Sequence, residues 1–73
     1  MNRKAILKPL GAKIRSIREE KGWSQERLAE ECELDRTYIG GVERAERNIS
    51  VCNLAKIAAA LKVHISTLFR DFS

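Results

Sequence analysis

The feature that most constrains this chain is one short pattern that recurs along it: a polar residue with an apolar residue just before it and another one turn later. It appears as Trp23-Ser24 with Leu28, Leu34-Asp35 with Ile39, Ile49-Ser50 with Leu54, and Val63-His64 with Leu68. A polar side chain in that place accepts from the free amides of a helix start, and the flanking apolar pair clasps across the first turn. Each occurrence therefore predicts a helix N-terminus and sets the angle at which the chain enters it. Histidine is a poor cap, so the start at His64 rests on its apolar pair.

Apolar residues recur at helical spacing, and no segment alternates as a strand would. Leu10, Ile14 and Ile17 mark a first helix, with Pro9 in its first turn and Gly22 closing it. Leu28, Ala29 and Cys32 mark a second, and Ile39 with Val42 a third. Leu54, Ile57, Ala58 and Leu61 mark a fourth, and Leu68 with Phe69, both turned toward the core, a short fifth. The connections are short and no low-complexity linker interrupts them. The expected fold is all-α: a compact five-helix bundle over residues 9–73, preceded by an N-terminal arm over residues 1–8.

A chain of 73 residues buries a modest core and leaves no room for a ligand-sensing or catalytic second domain. It has no apolar run near the ~18 residues of a membrane span, and its start lacks a signal-peptide core. A cytoplasmic protein with no membrane partner is expected. Its net charge of +4 and pI near 9.4 favour a polyanionic partner without naming one, because ten carboxylates are interleaved with the cations. Cys32 and Cys52 are far apart, with no CxxC and a single histidine in the chain. That argues against a zinc site and, in a reducing compartment, against a disulfide; both thiols read as core or half-buried groups. No nucleophile–base constellation and no glycine-rich phosphate loop is present. Neither an enzyme nor a cofactor or small-molecule ligand is expected.

The stretch Ser24 to Arg44 carries the functional signal. Two helices joined only by about Glu31 to Leu34 must cross steeply, as in a helix-turn-helix. On a third helix over Arg36 to Arg44, Arg36, Thr37, Gly40 and Arg44 fall on one side and Ile39 and Val42 on the other. With the apolar side packed inward, the first set faces outward, where an arginine can reach O6 and N7 of guanine and a threonine can meet a base edge or a thymine methyl. The competing reading is an ordinary solvated face. Gly40 and Gly41 weigh against it: two glycines inside a helix cost about 2 kcal/mol relative to alanine, so something must approach closely, either a packed neighbour or a groove wall. The amides at the start of helix two, around Ser24 and Gln25, suit a phosphate.

The segments IRSIREEKGWSQERLA and DRTYIGGVER resemble the helix-turn-helix domain of the phage-repressor (Cro-like, xenobiotic-response-element) family. DRTYIGGVERAERNIS followed by NLAKIAAAL is most similar to the controller proteins of restriction–modification systems. The resemblance covers nearly everything beyond residue 8. It implies that Gln25 bonds a phosphate and braces the start of the recognition helix, that Arg36 and Thr37 read bases, and that Tyr38 lies against the DNA backbone. It further implies base and phosphate contacts from Arg47 and Asn48, and a pair, Arg18 with Glu43, tying helix one to helix three. Three positions depart from the pattern: Gly40 in place of a side chain often able to touch DNA, Glu33 in place of the usual turn glycine, and Ala45 in place of a frequent glycine after helix three.

Ile65 and Phe72, with Val51 from the start of helix four, form an apolar stripe that either meets a second copy or, at Phe72, frays with the C-terminus. The reading that follows is a homodimeric regulator binding double-stranded DNA at a pseudo-palindromic operator. The resemblance adds that it regulates its own gene and an endonuclease gene. The alternative from another class is an antitoxin or adaptor whose bundle binds a partner protein.

Overall fold

The first helix begins earlier than the spacing of apolar residues suggests. In the computed structural model, which describes residues 2–70, the chain forms α1 (Arg3–Glu20), α2 (Gln25–Cys32), α3 (Arg36–Glu43), α4 (Val51–Leu61) and α5 (Ile65–Leu68). Residues 3–8 are therefore helix and not a separate arm. The Asn2 side chain accepts from the Ala5 amide at 2.9 Å and starts α1 there, and Leu7 is buried in line with Leu10 and Ile14. Pro9 consequently lies inside α1 instead of in its first turn. It cannot donate to the Ala5 carbonyl, and the loss is offset by the buried leucines on either side of it.

The other helix starts fall where the sequence pattern puts them. Ser24 accepts from the Arg27 amide at 3.0 Å, Asp35 from those of Thr37 and Tyr38 at 2.9 and 3.4 Å, and Ser50 from that of Asn53 at 3.0 Å. His64 occupies the fourth start without a side-chain cap bond. Leu28, Ile39, Leu54 and Leu68 are buried, while Trp23, Leu34, Ile49 and Val63 lie half-buried against the same core.

Four helix ends, those of α1 to α4, also share one device. Gly22, Glu33, Ala45 and Lys62 all take left-handed backbone, with φ of 73°, 58°, 63° and 60°. The next amide then reaches back to close the helix: Trp23 to the Arg18 carbonyl, Leu34 to Ala29, Glu46 to Gly41, Val63 to Ala58, at 2.8–3.1 Å. Trp23, Leu34 and Val63 thus end one helix and staple the next, which is why the connections are so short. Glu33 supplies the turn of the helix-turn-helix despite its side chain; left-handed backbone costs a non-glycine residue about 1–2 kcal/mol.

Leu10, Ile14, Leu28, Ile39, Ile57, Leu61 and Leu68 fill the centre. Phe69, expected to turn inward, is 37% exposed. In a single-turn helix Leu68 takes the core position, and one residue further the side chain has swung about 100° outward. Cys32 is buried, and burial pushes its thiol up from the ordinary range, so it is an inert core group. Cys52, read as core or half-buried, is exposed on α4.

Candidate nucleic-acid interface

Helix α3 stands with Ile39 and Val42 in the core and Arg36, Thr37 and Arg44 exposed. Asp35 caps its start, directly beneath Arg36 and Thr37, so these two side chains leave from backbone that is held rigidly. Arg44 follows the last turn and reaches Glu46 at 3.1 Å in an exposed ion pair. Arg47 and Asn48 are exposed in the connection to α4.

Gly40 does not join this open face. It is buried beneath two side chains: a Cβ there would lie 3.0 Å from Arg44 Nη1 and 3.4 Å from Gln25 Oε1. A Cβ on Gly41 would lie 2.6 Å from Arg47 Cγ. The glycine pair is explained by packed neighbours: it lets two long basic side chains lie down along α3. At Gly40, where a DNA contact is expected, the exposed Arg44 side chain lies over the helix.

Behind the exposed face, Arg18 and Glu43 lock α1 to α3. Arg18 Nε donates to Glu43 Oε2 at 2.7 Å and Nη2 to Oε1 at 3.0 Å, a bidentate pair with 9% and 2% of the side chains exposed. Arg18 Nη1 also donates to the Trp23 carbonyl at 2.6 Å, tying in the segment that leads to α2. The hydrogen bonds to Glu43 raise the Arg18 pKa further, outweighing desolvation, so the guanidinium stays charged at every accessible pH. Gln25 completes the lock: its Nε2 donates to Glu43 Oε1 at 3.0 Å. The glutamine thus bonds the last turn of α3, where the resemblance implies a brace at its start, and this bond uses one of its two amide hydrogens.

Tyr38 is tied inward. Its hydroxyl donates to the Asn48 carbonyl at 3.4 Å and accepts from Asn53 Nδ2 at 3.2 Å, linking α3, the following loop and α4. Ser24 is exposed and caps α2. Gly11, which sequence reasoning passed over, is decisive for the helix crossing: a Cβ there would lie 2.7 Å from the Glu43 carbonyl oxygen and closer still to that of Val42. A glycine between Leu10 and Ile14 in an amphipathic pattern is the signal that could have found it.

Val51 is 77% and Ile65 38% exposed; Phe72 lies outside the described residues. Phe69 lies beside Val51, Ile49 and Ile6 on an open apolar groove of about 290 Å³. Among the described residues no three His, Cys, Asp or Glu side chains gather as metal ligands would, and no helix is long and apolar enough to cross a membrane.

A short capped helix, polar outward, crossing a second helix through a tight turn and locked from behind, defines a helix-turn-helix domain. The pattern of the helix-turn-helix family matches residues 14–68, and the chain belongs to that family. Within it, the chain is 50% identical over 64 residues to control protein C.BamHI of Bacillus amyloliquefaciens, covering 86% of this chain and 78% of that protein. It is 54% identical over 54 residues to a hypothetical transcription factor of Neisseria meningitidis serogroup B, covering 74% of this chain but only 51% of that longer relative. The solved restriction–modification controller protein C.Esp1396I, a tetramer in complex with its natural 35 base-pair operator, superposes with a TM-score of 0.81 at 42% identity, over 88% of this chain and 84% of that one.

Proposed function

We propose that the chain is a sequence-specific DNA-binding transcriptional regulator, a homodimer on a pseudo-palindromic operator, which controls its own gene and a restriction endonuclease gene. It works in the cytoplasm as a binding protein and not as an enzyme. The observation that carries this reading is the exposure of Arg36 and Thr37 on a helix whose rear is held by the Arg18–Glu43–Gln25 lock. Rigidity matters because base reading depends on hydrogen-bond geometry, and a bidentate arginine–guanine pair distinguishes bases only when the helix does not roll.

In the major groove Arg36 donates to a guanine edge, and Thr37 meets a neighbouring base. Arg44, Arg47 and Asn48 then lie toward the flanking backbone, where contacts position the protein and do not specify sequence. Two copies paired through Val51, Ile65 and Phe69 would carry two recognition helices about one DNA turn, ~34 Å, apart. Similarity to C.BamHI and to the operator-bound C.Esp1396I supports the assignment to restriction–modification control.

The test is binding to a duplex selected from a random-sequence pool, compared with a scrambled duplex, across a salt series. A symmetric selected site, bound at least about 1000-fold more tightly than the scrambled duplex, is expected. Equal affinity for both, with a protein partner co-purifying, would replace this reading with a protein-binding module.

A further inference from the structure

The lock explains why α3 stays in place, but it leaves a second group of cations unexplained. Arg3, Lys4 and Lys8 are exposed on the first turns of α1 and share one surface depression with Arg44, Ala45 and Glu46. They are brought there by Gly11. Lys4, Lys8, Gly11, Arg15 and Arg18 follow one another along a single stripe of α1. Gly11 lets that stripe ride directly on the carbonyls of Val42 and Glu43, so the turns that precede it come to lie beside the residues that follow α3.

Four cations and one carboxylate meet in this depression, a surplus of three charges in a chain whose net charge is +4. Among the described residues none of Arg3, Lys4 and Lys8 forms an ion pair, and Glu46 is already paired with Arg44. The placement of Arg3 and Lys4 also opposes the helix. The first turn of α1 holds no acidic residue, and cations at that end work against the positive pole of the macrodipole. The chain thus gives up stability to keep positive charge at this spot, and an anion bound there would reverse the penalty.

Resting on the DNA-binding reading above, we propose that the N-terminal turns of α1 form a second, sequence-independent contact to DNA phosphates, made by Arg3, Lys4 and Lys8 and continuous with Arg44. The surface lies at the end of α3 opposite Arg36. A strand leaving the groove past Arg44 meets Lys8 and then Lys4. Its role is to add affinity and hold register, while base discrimination stays with Arg36 and Thr37.

The full chain with Arg3→Gln, Lys4→Gln and Lys8→Gln together, and a control with Lys4→Arg and Lys8→Arg, should be compared with the unaltered protein on selected and scrambled duplexes over a salt series. Each phosphate contact contributes about 0.9 to the slope of log K against log salt, so the triple variant should lose about 2–3 from that slope on both duplexes. The ratio of the two affinities should hold, the arginine control should keep the full slope, and the melting temperature should stay level or rise. An unchanged slope overturns the proposal, as does a loss confined to the selected duplex, which would mean base reading. If the unaltered protein fails to discriminate but the slope falls, the regulatory reading fails and the phosphate surface stands. Discrimination with an unmoved slope is the reverse result.

Discussion

At the residue scale, the base reading proposed for Arg36 and the buried ion pair of Arg18 belong to different arginines. Arg36 is exposed at the start of α3 and makes no ion pair among the described residues, so its removal should leave the fold intact. Arg36→Ala is expected to lower discrimination between selected and scrambled duplexes by about 1–3 kcal/mol, with a smaller effect on scrambled DNA. Equal losses on both duplexes would move base reading elsewhere. Arg18 is the opposite case. Its guanidinium serves Glu43 twice and the Trp23 carbonyl once, and removing either member of the buried pair strands the other. Arg18→Met or Glu43→Leu alone should cost about 3–5 kcal/mol, a large part of a small domain's stability, while the double variant should cost less than the two singles summed. Thermal unfolding of all four proteins measures the coupling; strict additivity would show that the pair is not a unit.

At the element scale, the α1–α3 crossing depends on the absence of one side chain. A methyl group at Gly11 meets two backbone carbonyls, which cannot rotate away as a flexible side chain can. Gly11→Ala should therefore destabilise by about 1–3 kcal/mol by forcing the helices apart, even though alanine is the better helix former. Gly41→Ala is the contrast: its close neighbour is Arg47 Cγ at 2.6 Å, a side-chain atom that has to turn away about χ1, as a backbone carbonyl cannot. Denaturant unfolding of the two variants separates these cases, and equal midpoints would show that α1 does not depend on the close approach. Because the lock bridges the same two helices, the Gly11 variant should also weaken DNA binding.

At the scale of the whole molecule, the exposed apolar surface remains to be covered. Val51, the most exposed large apolar side chain of the described residues, stands at the start of α4, Ile65 at the start of α5, and Phe69 just beyond it. Exposed apolar side chains such as Val51 and Phe69, which line one groove, mark contact surfaces. Val51→Asp with Ile65→Asp is expected to shift the protein from dimer to monomer in sedimentation at micromolar concentration and to weaken operator binding by at least about 100-fold, since each half-site alone retains only one recognition helix. An unaltered dimer would place the interface elsewhere. The melting temperature should fall only by what the lost dimer contributes, because neither side chain belongs to the buried core.

Sequence alone determined the helix starts at Ser24, Asp35, Ser50 and His64, the apolar stripe of each helix and the outward placement of Arg36 and Thr37. These depend on a side chain meeting backbone or a neighbour within a turn, so local spacing encodes them. The Asn2 start of α1 belongs to the same local chemistry, although apolar spacing alone placed it later. Family resemblance supplied the Arg18–Glu43 pair, while its bidentate geometry and its burial came only from the fold. Tertiary structure alone decided that Gly40 is roofed by Arg44, that Gln25 donates to Glu43, that Phe69 turns outward and that Lys4 and Lys8 lie beside Arg44. Each of those outcomes depends on how closely one element approaches another, and that distance was set by groups from distant parts of the chain, Gly11 against the carbonyls of α3 above all.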